Sequence, residues 1–371
     1  MESEVGEGLK ATVLWYDESK IDVMPIDMDF REESRINTSL ERWLLRRVIP
    51  KNRAYVHEVL KTMGLSAGNT KGIIEVCKGL SLNDSFWVVR EDFEGMFADY
   101  NLFENNFTEV LALAAFTGEG SLNGASQAQT TSPEPTTNGM LPKAWRNIDE
   151  KIVLYKGASA IHKTEPYNEY YASQLADAMG LSPVIYGLDE WKGKLASTCM
   201  LFTDKDTSFV SAYELTHFSK YRSISSFYKE HDEESGTNLN DYFLSILAFD
   251  ALIANTDRHF GNFGVLRDNK TGKIINSAPV FDNGQSLFYD GFDYDIKHHK
   301  EYLMTHVTAT RDSFDDIARV FCGNLQREQL KKLMGFVFIP HEKYNMQPKR
   351  LQAIQNYIQT RAQELLNIIG N

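Results

Sequence analysis

A polar segment, Thr117–Gly139, interrupts this chain of 371 residues and constrains its folding more than any other feature. Its sequence, TGEGSLNGASQAQTTSPEPTTNG, contains almost no large apolar side chain, so it cannot offset the conformational entropy lost on packing. It therefore predicts a linker or mobile loop. We expect an extra N-terminal α+β domain at 1–125, a strand-rich lobe at 126–205 and a mainly helical lobe at 206–371.

The composition excludes several broad classes of protein. The chain is 42% apolar and carries 22 Phe, 17 Tyr and 5 Trp, which argues against a largely disordered protein. The 51 acidic residues outnumber the 39 basic ones, so direct binding to nucleic acid or to a membrane surface is not expected. Cys77, Cys199 and Cys322 are too far apart for a disulfide framework, which indicates a reducing compartment. Because we find neither a signal peptide nor a membrane-length apolar run, we expect a cytoplasmic protein.

Local patterns predict the secondary structure on both sides of the polar segment. In the first part, apolar alternation predicts strands at 11–16, 21–26 and 85–90. Helices are predicted there at 39–48, 54–63, 71–80 and 107–116. In the second part, strands are predicted at 152–155 and 199–202, a hairpin at 263–275, and helices at 167–179, 240–254, 313–321, 327–334 and the C-terminal end. A strand-rich region followed by a helical one is the expected order.

The strongest chemical signal is the run NTDRHFGN at residues 255–262, directly after an apolar helical pattern. A charge-dense loop leaving a buried helix is costly unless its groups bind one another or a ligand. Asp257 and Asn262 stand five residues apart, the separation of the catalytic aspartate and the metal-binding asparagine in kinase-type phosphoryl-transfer enzymes. We expect Asp257 to orient or deprotonate the acceptor hydroxyl, and Arg258 to stabilise either the loop or the transferring phosphate. His259 is expected to brace the loop within the nucleotide site.

A second signal, PVFDNG at residues 279–284, begins shortly after the first. The predicted hairpin between the two runs would return Asp282 to the side of the first loop. Magnesium prefers oxygen ligands, commonly one or two carboxylates completed by water and phosphate. Asp282 and Asn262 are therefore the expected metal ligands, and Gly284 would allow a sharp turn beside them.

Further nucleotide-binding residues are expected upstream. Lys156 closes the strand pattern IVLY and can pair with nucleotide phosphates if a carboxylate on the next helix orients it. We prefer Glu169 for that carboxylate, because Pro166 favours Glu165 as a residue that precedes the helix.

The segment 132–143 can also contact phosphates. Its candidate groups are the hydroxyls and backbone N–H groups of Thr136, Thr137, Asn138 and Gly139. A hinge is expected at 202–206, which brings Phe202 and Thr203 into the nucleotide site, with ATP between the two lobes.

Each of these features also has a simpler interpretation, such as a surface ion pair, a solvated lysine, a linker or a turn. Their order along the chain favours a kinase. One alternative is a transition-metal hydrolase using Asp257, His259, Asp282, His298 and His299. Another is a nucleotide-binding pseudokinase whose N-terminal part binds a partner.

The motifs at 255–262 and 281–282 resemble those of the HipA-like serine/threonine kinases, bacterial enzymes that are often toxins of toxin–antitoxin modules. These enzymes are distantly similar to phosphoinositide kinases. The resemblance covers roughly residues 130–371 and implies a bilobal, protein-kinase-like fold with ATP and Mg²⁺ as cofactors. It also implies a protein substrate with a serine or threonine acceptor, and an antitoxin-like or regulatory partner. Protein, lipid and small-molecule acceptors all suit the same catalytic residues.

The same resemblance extends to the polar segment. The S-x-x-G-x-x-x-K pattern of these kinases falls on Thr136, Gly139 and Lys143, with threonine in place of serine. It implies autophosphorylation at Thr136, with Ser132 and Thr137 as further candidates.

Overall fold

The computed structural model describes residues 9–66, 68–105, 107–120, 132–217 and 223–369. Within these ranges the chain combines α-helices with antiparallel strand pairs, which confirms the predicted α+β class. Residues 121–131, which form much of the predicted linker, lie outside the described residues. No helix in the described ranges is both long and apolar enough to cross a membrane.

The helices and strands of the described residues have the following bounds. The helices are α1 (Glu33–Leu45), α2 (Val56–Thr62), α3 (Thr70–Cys77), α4 (Phe97–Tyr100), α5 (Glu109–Thr117), α6 (Glu165–Met179), α7 (Ala212–His217), α8 (Ile224–Ser235), α9 (Leu239–Ile253), α10 (Asp293–Lys297), α11 (His299–Thr305), α12 (Phe314–Phe321), α13 (Asn324–Lys331) and α14 (Pro348–Ile368). The strands are β1 (Lys143–Ile148), β2 (Lys151–Gly157), β3 (Tyr186–Trp191), β4 (Lys194–Met200), β5 (Thr207–Ser211), β6 (Gly264–Asp268) and β7 (Ile274–Ser277).

Contacts between residues divide the chain into two compact units. Unit 1 contains the described residues of Met1–Lys156, Thr203–Val210 and Leu266–Ile275. Unit 2 contains the described residues of Gly157–Phe202, Ser211–Val265 and Asn276–Asn371. The predicted boundaries after residues 125 and 205 remain predictions.

The core of unit 1 forms where α2, α3 and α5 meet. The sequence of α5, EVLALAAFT, is apolar on every side, and the helix packs against α2 and β1. The apolar cluster comprises Ile49, Val56, Val59, Leu60, Ile73, Cys77, Leu111, Ala114 and Ala115. Strands β1 and β2 pair antiparallel across a turn at Asp149 and Glu150, both of which have positive φ. This hairpin begins at Lys143 and ends beside Lys156, its cross-strand partner.

Unit 2 is organised around α9, in which ten of fifteen residues are buried. It packs against α8, α12, α13 and α14. The predicted C-terminal helix is α14, and its apolar residues Ile354, Ile358 and Leu365 are fully shielded from solvent. Because Ala254 adopts a left-handed conformation (φ 53°), α9 ends there and the chain passes directly from the core into the loop at 255–262.

The remaining elements are helix α6, the hairpin of β3 and β4, and a sheet of three strands. Within unit 2, α6 packs against the antiparallel hairpin of β3 and β4. The strand predicted at 199–202 overlaps β4 only at residues 199–200, because β4 ends at Met200. Strands β5, β6 and β7 form a sheet in that order, and β6 and β7 confirm the predicted hairpin.

Three strand predictions in the first part were wrong. Residues 11–16 and 85–90 form no strand, and Glu18–Val23 is a 3₁₀ helix that overlaps the segment predicted at 21–26. The side chain of Asp17 caps that helix by accepting a hydrogen bond from the Ser19 amide. Short alternating segments form strands only when a neighbouring strand pairs with them, and none does so among the described residues around 11–16.

Candidate active site

A buried ion pair anchors the loop that follows α9. Asp250, on the last turns of the helix, accepts hydrogen bonds from the Arg258 Nε at 3.0 Å and from its Nη2 at 3.1 Å. Both side chains are only 4% exposed. Burial lowers the pKa of Arg258, but the charge and hydrogen bonds of Asp250 outweigh it and raise the pKa above its usual value. The arginine is therefore held charged inside the fold.

Arg258 also joins this loop to the segment around Asp282. Its Nη1 donates to the backbone carbonyls of Asn262 and Phe281, and its Nη2 donates to the side-chain oxygen of Asn283. One guanidinium thus connects the two motifs found in the sequence. Of the two roles predicted for Arg258, these contacts favour the stabilisation of the loops.

Two amide side chains hold Asp257. The Asp257 backbone N–H donates to the Asn255 side-chain oxygen at 3.0 Å, and Gln285 Nε2 donates to the Asp257 carboxylate at 3.1 Å. The backbone carbonyl of Gln285 in turn accepts the N–H of Thr256. Gln285 was not among the residues predicted from the sequence, in which its position three residues after Asp282 is the only signal.

The two predicted metal ligands have conformations that suit the role. Asn262 Nδ2 donates to the Asp257 carbonyl at 2.9 Å, which fixes the orientation of the amide and leaves its Oδ1 at the opposite end. Asp282 adopts a left-handed conformation (φ 57°), and its N–H donates to the Tyr186 hydroxyl. Aspartate adopts this conformation more readily than most non-glycine residues.

Helix α6 supports the segment around Asp282. Glu169, fully buried, accepts the Asn283 N–H at 2.7 Å. Asn168, also fully buried, donates to the carbonyls of Gly284 and Ser286. A Cβ at Gly284 would lie 3.3 Å from Glu169 Oε1 and from the Glu165 Cβ. The glycine therefore permits close approach to α6. The positive φ in this segment belongs to Asp282 and not to Gly284, which was expected to allow a sharp turn.

Glu165 differs from its predicted position. It is the first residue of α6 rather than a residue before the helix, with Pro166 at the second position. Its side chain is buried, and its Oε2 has no hydrogen-bond partner among the described residues. Glu165 and Glu169 thus lie one helical turn apart on the same buried face.

Two tyrosines lie near these carboxylates. Burial raises the pKa of Tyr186 well above its usual value, and the negative charges of Glu169 and Asp282 add to the shift. Burial likewise raises the pKa of Tyr289, with contributions from the charges of Asp290 and Asp257. Both hydroxyls therefore remain protonated at neutral pH.

His259 and Phe202 lie at the margin of the site in unit 2. His259 is exposed, and its Nδ1 accepts the Gly261 N–H at 3.0 Å, the bracing contact expected of it. Phe202 packs against Phe281 with their ring centroids 5.5 Å apart.

The other predicted nucleotide-binding residues belong to unit 1. Lys156 is buried at the end of β2, and Thr203 donates its hydroxyl to the Leu82 carbonyl. Asn138 and Gly139 are exposed, and Gly139 has a φ of 95°.

The three candidates for autophosphorylation are also in unit 1. Ser132 and Thr136 are buried. The hydroxyl of Thr136 donates to the Leu80 carbonyl at 2.7 Å, and that of Thr137 donates to the Pro133 carbonyl at 2.7 Å.

The alternative transition-metal site does not assemble. His299 contacts Glu364 at 3.1 Å, and His298 stacks on Tyr294. Across the described parts of the chain, no group of three His, Cys, Asp or Glu side chains is arranged to hold a metal ion.

Comparison with known proteins relates the second part of the chain to one family. The model of the HipA-like C-terminal domain matches residues 136–338, just over half of the chain. The serine/threonine-protein kinase CtkA of Helicobacter pylori is 28% identical over 176 residues, which cover 41% of this chain and about half (51%) of that relative.

Two solved structures are also similar. One is the proinflammatory kinase CtkA of Helicobacter pylori, with 16% identity, a TM-score of 0.47, and coverage of 61% of this chain and 92% of that one. The other is HipA of Shewanella oneidensis, in a complex with HipB and operator DNA, with 12% identity and a TM-score of 0.45. That match covers 88% of this chain and 85% of the HipA chain.

Proposed function

The chain belongs to the family of HipA-like C-terminal domains, and on that premise we propose that it is an ATP- and Mg²⁺-dependent kinase. It would transfer the γ-phosphate to a serine or threonine hydroxyl of a protein. The observation that carries the proposal is the arrangement of the two motifs in unit 2. Arg258 links the loop of Asp257 and Asn262 to the segment of Asp282, and Gln285 joins the same segment to the Asp257 carboxylate.

Asp257 would orient the acceptor hydroxyl and accept its proton. Asn255 holds its backbone and Gln285 holds its carboxylate, so the side chain is positioned before the substrate arrives. In phosphoryl transfer of this type, the contribution of the protein comes mainly from positioning and electrostatic stabilisation.

Asn262 and Asp282 would hold the metal. The free end of the Asn262 amide and the Asp282 carboxylate provide two oxygen ligands, which suits a magnesium ion that keeps water and phosphate in its other positions. Bound magnesium would neutralise charge on the phosphates. Glu169 anchors the Asn283 N–H and so fixes the backbone next to Asp282.

Lys156 and the segment 132–143 would contact the phosphates, and Phe202 and Thr203 would contact the base. Autophosphorylation of Thr136 would require the segment to move, because its hydroxyl is buried and donates to the Leu80 carbonyl. The presence of HipB in the Shewanella oneidensis HipA structure supports a regulatory protein partner. We place the enzyme in the bacterial cytoplasm.

Replacement of Asp257 by asparagine tests the proposed function. We expect the rate of transfer from γ-labelled ATP to a dephosphorylated casein to fall about 10²- to 10⁴-fold, with ATP affinity by calorimetry nearly unchanged. Asp177→Asn, an exposed aspartate on α6, is the matched control and should retain the wild-type rate. Magnesium-dependent ATP binding without transfer by the wild type to casein or to itself would instead support the pseudokinase.

A further inference from the structure

Arg53, in the first part of the chain, contacts the segment that carries the predicted phosphate-binding residues. Its Nη2 donates to the Glu134 carboxylate at 2.6 Å and to the Lys143 carbonyl at 2.8 Å. Its Nη1 donates to the carbonyls of Glu134 at 2.6 Å and Thr137 at 3.2 Å. The Arg53 and Glu134 side chains are completely buried, so these bonds form in a dry environment. One guanidinium therefore holds both ends of the segment.

Three neighbouring contacts reinforce this attachment. The Thr136 hydroxyl donates to the Leu80 carbonyl at 2.7 Å. The Met140 carbonyl accepts the Ala54 N–H at 2.8 Å, and the second oxygen of the Glu134 carboxylate accepts the Trp145 N–H. Arg53, Ala54 and Leu80, which contact the segment, all lie before the polar segment in the sequence.

The exposed part of the segment is its apex. Residues 132–136 are buried, whereas residues 138–140 are exposed. Gly139 has a φ of 95°, and a Cβ there would lie within van der Waals overlap of Lys143 Nζ. The turn thus requires glycine, and it brings the lysine amine beside an exposed backbone. A segment whose ends are held in place and whose exposed residues 138–140 reach solvent suits the binding of phosphate by backbone N–H groups.

We propose that Arg53 is a positioning residue for the phosphate-binding segment 132–143, and that the region before residue 120 is the brace that holds this segment in shape. The proposal rests on the proposed function for the identity of the ligand, a nucleoside triphosphate. The mechanical part of the proposal, that Arg53 holds the segment in shape, does not depend on the identity of the ligand. Arginine is suited to this role because its planar fork offers five donors, whereas lysine offers a single charged amine.

Hydrogen exchange of the full-length protein tests the mechanical part without any assay of activity. In Arg53→Met we expect the amides of 134–143 to exchange at least about tenfold faster than in the wild type, with Arg53→Lys in between. Arg47→Met is the matched control, because Arg47 is another buried arginine of unit 1, paired with Asp84 and hydrogen-bonded to Gly79. It should leave exchange at 134–143 within about twofold of wild type. Unchanged exchange in Arg53→Met, or equal acceleration in both variants, would overturn the proposal.

The Michaelis constant for ATP tests the positioning role. We expect Arg53→Lys, the variant less disruptive to folding, to raise the Michaelis constant about tenfold and to change kcat less than threefold. A normal Michaelis constant in a variant whose segment exchanges rapidly would show Arg53 to be merely structural and would overturn the positioning role. If the wild type transfers no phosphate at all, the proposed function fails, while the exchange experiment still decides whether Arg53 braces the segment.

Discussion

Gln285 offers the sharpest test of how the site positions Asp257, the proposed catalytic carboxylate. Its Nε2 donates to Asp257 at 3.1 Å, and its backbone carbonyl accepts the Thr256 N–H at 3.2 Å. Replacing Gln285 by leucine removes only the side-chain bond, because the backbone contact does not depend on the side chain. The variant therefore measures how much a single hydrogen bond to the Asp257 carboxylate contributes to kcat.

The size of the effect follows from the charge and exposure of the pair. A hydrogen bond to an ionised group contributes about 1.5–3 kcal/mol, and a factor of ten in rate corresponds to about 1.4 kcal/mol. Gln285 is half-buried, so water replaces part of the lost bond and the lower end of the range applies. We expect kcat to fall about tenfold to thirtyfold in Gln285→Leu, while the Michaelis constant for ATP stays within about twofold.

Replacing Gln285 by glutamate turns the attraction between residue 285 and the Asp257 carboxylate into repulsion. In Gln285→Glu a second carboxylate faces Asp257, and repulsion between like charges raises the pKa of Asp257. If Asp257 accepts the proton as proposed, only its deprotonated form is active, so the acidic limb of kcat should move to higher pH by about 1–2 units. Transfer to dephosphorylated casein across pH measures this, with Gln352→Leu, an exposed glutamine of α14, as the control. Wild-type kcat in Gln285→Leu together with an unshifted profile in Gln285→Glu would refute the reasoning.

Two further predictions concern buried ion pairs. Removing the guanidinium in Arg258→Met leaves Asp250 buried without its cation. We therefore expect the free energy of unfolding, measured in urea, to fall by about 3–5 kcal/mol and phosphate transfer to be lost. The double variant Asp250→Asn/Arg258→Met should recover part of the stability but not the phosphate transfer. Burial raises the pKa of Glu134 above its ordinary 4.5 against the opposing charge of Arg53. In Arg53→Met the opposing charge is gone, so we expect the folded form to retain this proton to higher pH than the wild type does. The unfolding free energy should therefore fall as the pH rises above the ordinary pKa of 4.5, by at most ~1.4 kcal/mol per pH unit, and a curve parallel to that of the wild type would contradict this.

The elements that carry the proposed catalytic residues could be predicted because their signals are local. The apolar pattern of α9 and the polar run at 255–262 meet at one point in the sequence, and the structure places the helix end there, at Ala254. The hairpin of β6 and β7 was predictable for the same reason, since a turn of polar residues separates two short apolar runs. Strands at 11–16 and 85–90 were predicted from equally local patterns. They failed because a strand depends on a partner elsewhere in the chain.

The residues that hold the site together could not be predicted, because their partners lie far away in sequence. Arg53 and Glu134 are separated by 81 positions, and Asn168 reaches carbonyls 116 and 118 positions further on. Nothing in the local sequence distinguishes Arg53 from other arginines of the first part. For Glu165 a local rule gave the wrong position. The rule that proline favours the first helical position placed Pro166 there, whereas Glu165 is the first residue of α6 and Pro166 the second.

The use of arginine at both anchors has a common physical cause. A loop that carries function has no ladder or helix to satisfy its carbonyl groups, yet those that are buried must find donors. Arg258 satisfies the carbonyls of Asn262 and Phe281, and Arg53 satisfies those of Glu134, Thr137 and Lys143. Each guanidinium is in turn neutralised by one buried carboxylate. An unpaired cation would be costly there and an apolar side chain would leave the carbonyls unsatisfied, so an arginine–carboxylate pair is the economical way to fix an irregular loop inside a fold.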